Sequence, residues 1–281
     1  MNEPILPREF AVKILICVGG NLYADQTVRL GSLFAKLHKA SITLMTVIGE
    51  NEADAIGEQA LAELAAKSMI DIDELRVRHG TAVHEIIEEC YTNEYDIIAV
   101  GTRVMHGLSL LPSSMVARHL SRKIPIPLLV VKNSVAQLKR ILICTRGQEK
   151  GLTAINWGVQ IAALSHAAVH LMYIADPIPQ MYFGLETMEE TAEELLASGT
   201  PVAEHLLEAK SILKKVRVPH KIVVRHGLVV EEILAEIDES GYDLAVIGAT
   251  QHDNIWQTLT LGNVSPRIIE NATCSVFVVR S

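Results

Sequence analysis

The sequence predicts an α/β protein of two tandem doubly wound domains, each with a five-stranded parallel sheet flanked by four helices. Three observations predict it. The chain has 281 residues, which suits two domains of ordinary size. It also repeats itself. Val77-Arg78-His79-Gly80 running on to Tyr95-Asp96 and Gly101 recurs as Val224-Arg225-His226-Gly227 running on to Tyr242-Asp243 and Gly248, at a constant offset of 147 with 11 of 26 residues identical. That period is far longer than a solenoid unit and matches a whole small domain. Third, short apolar runs alternate with helical periodicities in both copies, an order that forces parallel pairing through right-handed crossovers. The domains are expected at 1–135 and 136–281.

In the first copy, 12–18 is an apolar run interrupted by Lys13, as expected of a strand buried on both faces. Gly19 and Gly20 follow. Val28, Leu30, Leu33, Phe34 and Leu37 then give a helix over 25–38. A strand at 42–48, an Ala- and Glu-rich helix at 53–69 and a strand at 74–79 ended by Gly80 come next. A helix at 82–91, a strand at 96–100 ended by Gly101, a helix at 114–122 and a closing strand at 126–131 complete the copy.

The second copy predicts strands near 140–145, 169–174, 221–226, 243–247 and 275–280, with helices near 152–164, 187–214, 229–239 and 263–271. The offset is 127 for Lys13-Ile14-Leu15-Ile16-Cys17 against Arg140-Ile141-Leu142-Ile143-Cys144, so the second copy holds a net insertion of 20 residues. Its apolar tip, Met181-Tyr182-Phe183, reads equally as a lid, a partner contact or a loop folded back on its own domain.

Composition narrows the function. The net charge is −8 and no long basic run exists, which argues against a nucleic-acid partner. No apolar stretch reaches the length of a membrane span, and the first ten residues carry acids and two prolines rather than a signal pattern, so a cytoplasmic location is expected. Cys17 and Cys144 occupy equivalent first-strand positions. None of the four cysteines forms a C-x-x-C pair.

In open parallel sheets a ligand sits beyond the carboxyl ends of the strands, at the point where strand order reverses. A helix N-terminus there favours anions. The second copy offers Gly248-Ala249-Thr250-Gln251 and then Gly262-Asn263-Val264 entering the last helix, with Asn263 a good N-cap. The first offers Gly101-Thr102-Arg103-Val104 and then Pro112-Ser113-Ser114-Met115. Strand-ending glycines and capping serines are also common without a ligand.

Together with Leu261-Gly262-Asn263-Val264, the closing Val276-Phe277-Val278-Val279 and the opening strands 14–16 and 141–143, these runs resemble the universal stress protein family in its tandem form, over nearly the whole chain. The resemblance implies an adenine-nucleotide α-hydrolase-like, Rossmann-like fold. It also implies a site for ATP or AMP, with no cofactor strictly required. Carried over, that site is Thr145, Arg146, Ile174, Gly248, Ala249, Gln251, Gly262, Asn263 and Val264 in the second copy, and Gly19, Val47, Gly101, Thr102, Ser113 and Ser114 in the first.

Both copies depart from the family pattern. Where binding members place an acid after the first strand, this chain has Gly19 and Arg146. The second loop glycine is Val104 or Gln251, and the final glycine pair is Ser114-Met115 or Gly262-Asn263 after a spacer one residue longer. The second copy therefore keeps more of the phosphate cradle, and Arg146 could pair with a phosphate or with an internal carboxylate. The family also pairs closing strands, so 128–131 and 276–279 would form an internal pseudo-dimer, and two chains would associate as a homodimer. A protein partner is unspecified.

Other patterns weigh less. The repeated Arg-His-Gly lies near the ligand face, although a turn or packing role inherited from the duplicated ancestor is the simpler reading. His106, His119 and His252 lie in or near the candidate loops, where with His79 or His226 they would make a zinc-responsive site. There is no G-x-x-x-x-G-K-[ST], G-x-S-x-G or H-E-x-x-H. Taken with the resemblance, which implies a stress-response role, the reading is a cytoplasmic stress-response protein acting by binding and association. A nucleotide switch with slow hydrolysis and a metal-responsive protein are the alternatives.

Overall fold

The computed structural model describes residues 12–19, 24–68, 70–102, 112–132, 135–147, 151–176, 191–249 and 264–280, without the side chains of 112–114. The first copy forms β1 (Lys13–Val18), α1 (Ala24–His38), β2 (Ser41–Ile48), α2 (Asp54–Ser68), β3 (Glu74–His79), α3 (Ala82–Thr92), β4 (Ile97–Gly101), α4 (Pro112–Lys123) and β5 (Leu128–Val131). The second forms β6 (Arg140–Thr145), α5 (Leu152–Ser165), β7 (Ala168–Ala175), α6 (Ala192–Ala197), α7 (Pro201–Lys215), β8 (His220–His226), α8 (Val229–Ser240), β9 (Leu244–Ala249), α9 (Val264–Asn271) and β10 (Ser275–Arg280).

The chain folds as two compact units. One holds Met1–Ala136 with Ile269–Asn271 and Ser275–Val278; the other holds Gln137–Ile268 with Ala272–Cys274 and Val279–Ser281. In the first unit the parallel strands run β3-β2-β1-β4-β5. β10 lies antiparallel on β5, with Val276 opposite Val130 and Phe277 opposite Leu129, so the two closing strands do pair as the resemblance implies. Phe277 also packs its ring against Phe34 of α1, centroids 5.4 Å apart. In the second unit the parallel order is β9-β6-β7-β8.

The apolar runs at β1, β4, β6 and β9 are buried because helices cover both sheet faces. The expected single helix over 187–214 is a difference. The structure breaks it at Gly199, whose φ is +67°, and restarts it at Thr200, whose side chain caps Ala203 ahead of Pro201. A residue preceding proline disfavours helix, while proline suits a helix's first turn, so Thr200-Pro201 starts α7 afresh.

Candidate functional site

In the first domain β1 lies between β2 and β4, with Cys17 level with Met45 on one side and Val100 on the other. Strand order reverses across β1 and β4, which opens a crevice at their carboxyl ends. The crevice has a volume of about 240 Å³. Val18 and Gly19 from β1, Val47 from β2, Gly101 from β4, Ala82 from α3 and Val116 from α4 line it, and Cys17 and Thr27 help close its floor. Three expected site residues, Gly19, Val47 and Gly101, thus meet in one cavity. Thr102 follows directly, is 1% exposed, and its hydroxyl finds no hydrogen-bond partner among the described residues. Ser113 and Ser114 fall in the first turn of α4, but their side chains lie outside the described residues. The Cys17 thiol is pushed well above its ordinary range by burial, and Cys90 and Glu89 nearby add to the effect.

In the second domain β6 is flanked by β7 and β9, and Cys144 is level with Ile247. Thr145 and Arg146 therefore leave β6 beside Gly248 and Ala249 at the end of β9. Arg146 is exposed and has no ion-pair partner among the described residues. Ile174 is half-buried in β7, and Val264 opens α9. Gln251, Gly262 and Asn263 lie outside the described residues, as do Arg103, Val104, His106, His252 and the Met181-Tyr182-Phe183 tip.

Thr145 is already engaged. Its hydroxyl lies 2.8 Å from His205 Nε2 on α7 and accepts the Gly147 N–H at 3.3 Å. His205 is buried, and that burial lowers its pKa against an opposing pull from Glu208. A side chain on Gly147 would press on Tyr173 and Val202, and Gly147 sits at φ +68°. This clasp between β6 and α7 involves a histidine that the sequence reading missed, because sixty residues separate it from Thr145 and no motif joins them.

The repeated motif has a structural role in both copies. Arg78 reaches Glu85, Glu88 and Glu89, and Arg225 reaches Glu232, Glu236 and Glu239. Tyr95 donates to Glu89 at 2.8 Å, and Tyr242 donates to Glu236 at 2.6 Å. Burial would raise the Glu236 pKa, but hydrogen bonds from Tyr242, Arg225 and Ser240 outweigh it and hold the carboxyl low. Gly80 and Gly227, at φ +133° and +149°, turn the chain where a side chain would strike Glu85 or Glu232. Asp96 and Asp243 each accept backbone N–H groups at the start of the neighbouring first strand, from Lys13 in one copy and from Lys139 and Arg140 in the other. Glu89 and Glu236 were visible as identical acids in the aligned block, and their burial was the part not read.

Two of the histidines weighed as metal ligands, His79 and His119, have other partners. His79 bonds Asp54 and the Gly49 carbonyl, and the Asp54 bond, followed by the carbonyl, raises its pKa. His119 bonds the Met115 carbonyl. A separate group, His84, Glu85 and Glu88, clusters on α3, with both acids already turned to Arg78.

Comparison with known proteins identifies the family and the fold. The universal stress protein family model matches residues 12–132 and 137–280. A universal stress protein of Methanocaldococcus jannaschii is 28% identical over 151 residues, which is 54% of this chain and 87% of that one. The crystal structure of a universal stress protein from Archaeoglobus fulgidus superposes with a TM-score of 0.69 at 16% identity, covering 95% of this chain and 98% of that one. That of a functionally unknown protein from Pseudomonas aeruginosa gives 0.66 at 14% identity, covering 96% and 92%. The two structures share the fold of this chain, and the family match runs through both halves. The chain belongs to the universal stress protein family, as a tandem of two such domains.

Proposed function

We propose that this protein is a cytoplasmic stress-response protein that works by binding and association rather than catalysis, and that it holds an adenine nucleotide, ATP or AMP, in its second domain, with 1–135 and 136–281 as the domain limits. One observation carries the nucleotide reading. The exposed Arg146 guanidinium, with no ion-pair partner among the described residues, stands at the carboxyl end of β6 beside the strand that ends in Gly248. Arg is the side chain best suited to a phosphate, because its planar fork donates two parallel hydrogen bonds. Gly248 supports the reading. A Cβ there would meet Ala154 at 3.7 Å, an ordinary contact, so packing does not demand the glycine and close approach of a ligand would. Ala249, Val264 and, outside the described residues, Gln251, Gly262 and Asn263 would complete the cradle, with Ile174 beside the base.

The group would supply binding energy and charge, with its phosphates facing Arg146. Association rests on the closing strands and on a homodimer of the tandem chain, which sedimentation of the whole protein reads directly. Calorimetric titration with ATP, ADP and AMP tests the nucleotide. Arg146→Ala should weaken binding by about tenfold or more, as expected for a charge-assisted hydrogen bond. Gly248→Leu should abolish it. Absence of heat with all three nucleotides, or unchanged affinity in both variants, would defeat the proposal.

A further inference from the structure

The first domain's crevice is built for different chemistry. Its walls at Val18, Met45, Val47, Ile86 and Val116 are apolar, and among the described residues its lining contains no Lys, Arg, His, Asp or Glu. Cys17 is buried, so its sulfur stays a neutral thiol. The nearest buried acid that the thiol senses, Glu89, has its carboxylate bonded to Arg76, Arg78 and Tyr95 and is closed to a ligand. The position where binding relatives put an acid is Gly19, which offers backbone alone. Among the described residues, then, nothing in this cavity can neutralise a phosphate or accept from a ribose through a carboxylate. An ion placed there would lose its hydration without a counter-charge. An apolar molecule would exchange water for hydrocarbon walls.

We infer that the first-domain crevice binds a small, uncharged, mainly apolar molecule of about one to two fused rings, sized to the 240 Å³ cavity. The chain would then carry two unlike sites, one for an anion and one for a neutral ligand. The inference does not rest on the nucleotide reading of the second domain.

The test is fluorescence titration of the whole protein with phenylnaphthylamine, an uncharged apolar dye. One saturable site per chain is expected. Val47→Phe, which fills a wall, should weaken binding by about tenfold or more. Ile174→Phe, at the same position in the second domain, should change it by less than about twofold. Gly19→Asp sets a carboxylate at the mouth of the cavity and leaves the Val47 wall unchanged. It should weaken the dye as well, which keeps the test decisive if Val47→Phe fails to fold. Saturating ATP should leave the dye in place. Non-saturable binding, affinity unchanged from the parent protein in both Val47→Phe and Gly19→Asp, loss in Ile174→Phe instead, or displacement by ATP would each overturn the inference. ATP binding that survives while the dye site fails would leave the second-domain proposal standing.

Discussion

In the first domain Glu89 is completely buried and takes hydrogen bonds from two arginines, Arg76 and Arg78, and from Tyr95. In the second domain Glu236 takes them from one arginine, Arg225, with Ser240 and Tyr242, and His170 bonds Tyr242 at 2.6 Å. The motif is shared, but its surroundings have diverged. At the ligand faces the divergence is greater still. One domain has Val18-Gly19 beside a neutral crevice, and the other has Thr145-Arg146 beside a histidine clasp. Duplication has kept the charges that hold helix to sheet and has varied the charges a ligand would meet.

The largest expected effect probes the shared network. Glu89→Ala removes a buried carboxylate from two guanidiniums, and breaking such a pair costs about 3–5 kcal/mol. Glu236→Ala should cost less, because it strips one guanidinium rather than two and Glu236 is slightly less buried. Denaturant unfolding of both variants ranks them, and an equal loss would show that Arg76 adds nothing.

A smaller contrast lies in the helices that cover the first strands. Gly31 of α1 faces Ile16, and Gly158 of α5 faces Ile143, at the same place in each copy. An added Cβ would sit 2.8 Å from the Ile16 Cδ1 but 2.4 Å from the Ile143 Cδ1. Gly-to-Ala in a helix gains about 0.8–1 kcal/mol of propensity, whereas overpacking a core costs about 1–3 kcal/mol. Gly31→Ala should come out near neutral and Gly158→Ala should destabilise. Thermal melts that order the two the other way would break the comparison.

The smallest contrast is in pH. Burial lowers the pKa of His170 and His205 in the second domain and of His38 in the first. Below about pH 6.5 the unfolded chain protonates these imidazoles more readily than the folded one, so their effect is a loss of stability as pH falls. His79 has the opposite sign. Its pKa is raised by Asp54, so its contribution is full below about pH 6.5 and fades as pH rises through the raised value. His205→Gln should flatten the loss of stability below about pH 6.5, and His79→Gln should remove a gain that builds above that value, as pH falls from the raised pKa towards about 6.5. The same slope in both variants would show that neither imidazole is coupled to folding.

Much of the fold was legible because buried parallel strands write continuous apolar runs. β1 at Lys13–Val18 and β3 at Glu74–His79 fall within a residue of their expected limits. The break between α6 and α7 was also written in the sequence, in Gly199 and Thr200-Pro201, but a continuous helical pattern on both sides outweighed it. The site was legible only in outline. Gly19, Val47 and Gly101 meet in one crevice as the strand-end rule requires. What periodicity cannot carry is side-chain pairing across long separations, such as Thr145 with His205, or the fact that a repeated Arg-His-Gly serves two buried glutamates on the next helix.

The antiparallel ladder between β5 and β10 carries a consequence for how the protein is made. Val131 and Ser275 are separated by about half of the chain's 281 residues. At a synthesis rate of about 5–20 residues per second, β5 waits roughly seven to thirty seconds for its neighbour. During that interval the nascent first domain presents Leu128–Val131, four apolar residues, as an open edge suited to pairing with any other exposed strand. The tandem arrangement therefore sets a clock on the ribosome, and a slow stretch of translation through the second domain would lengthen the time in which this edge can recruit the wrong strand.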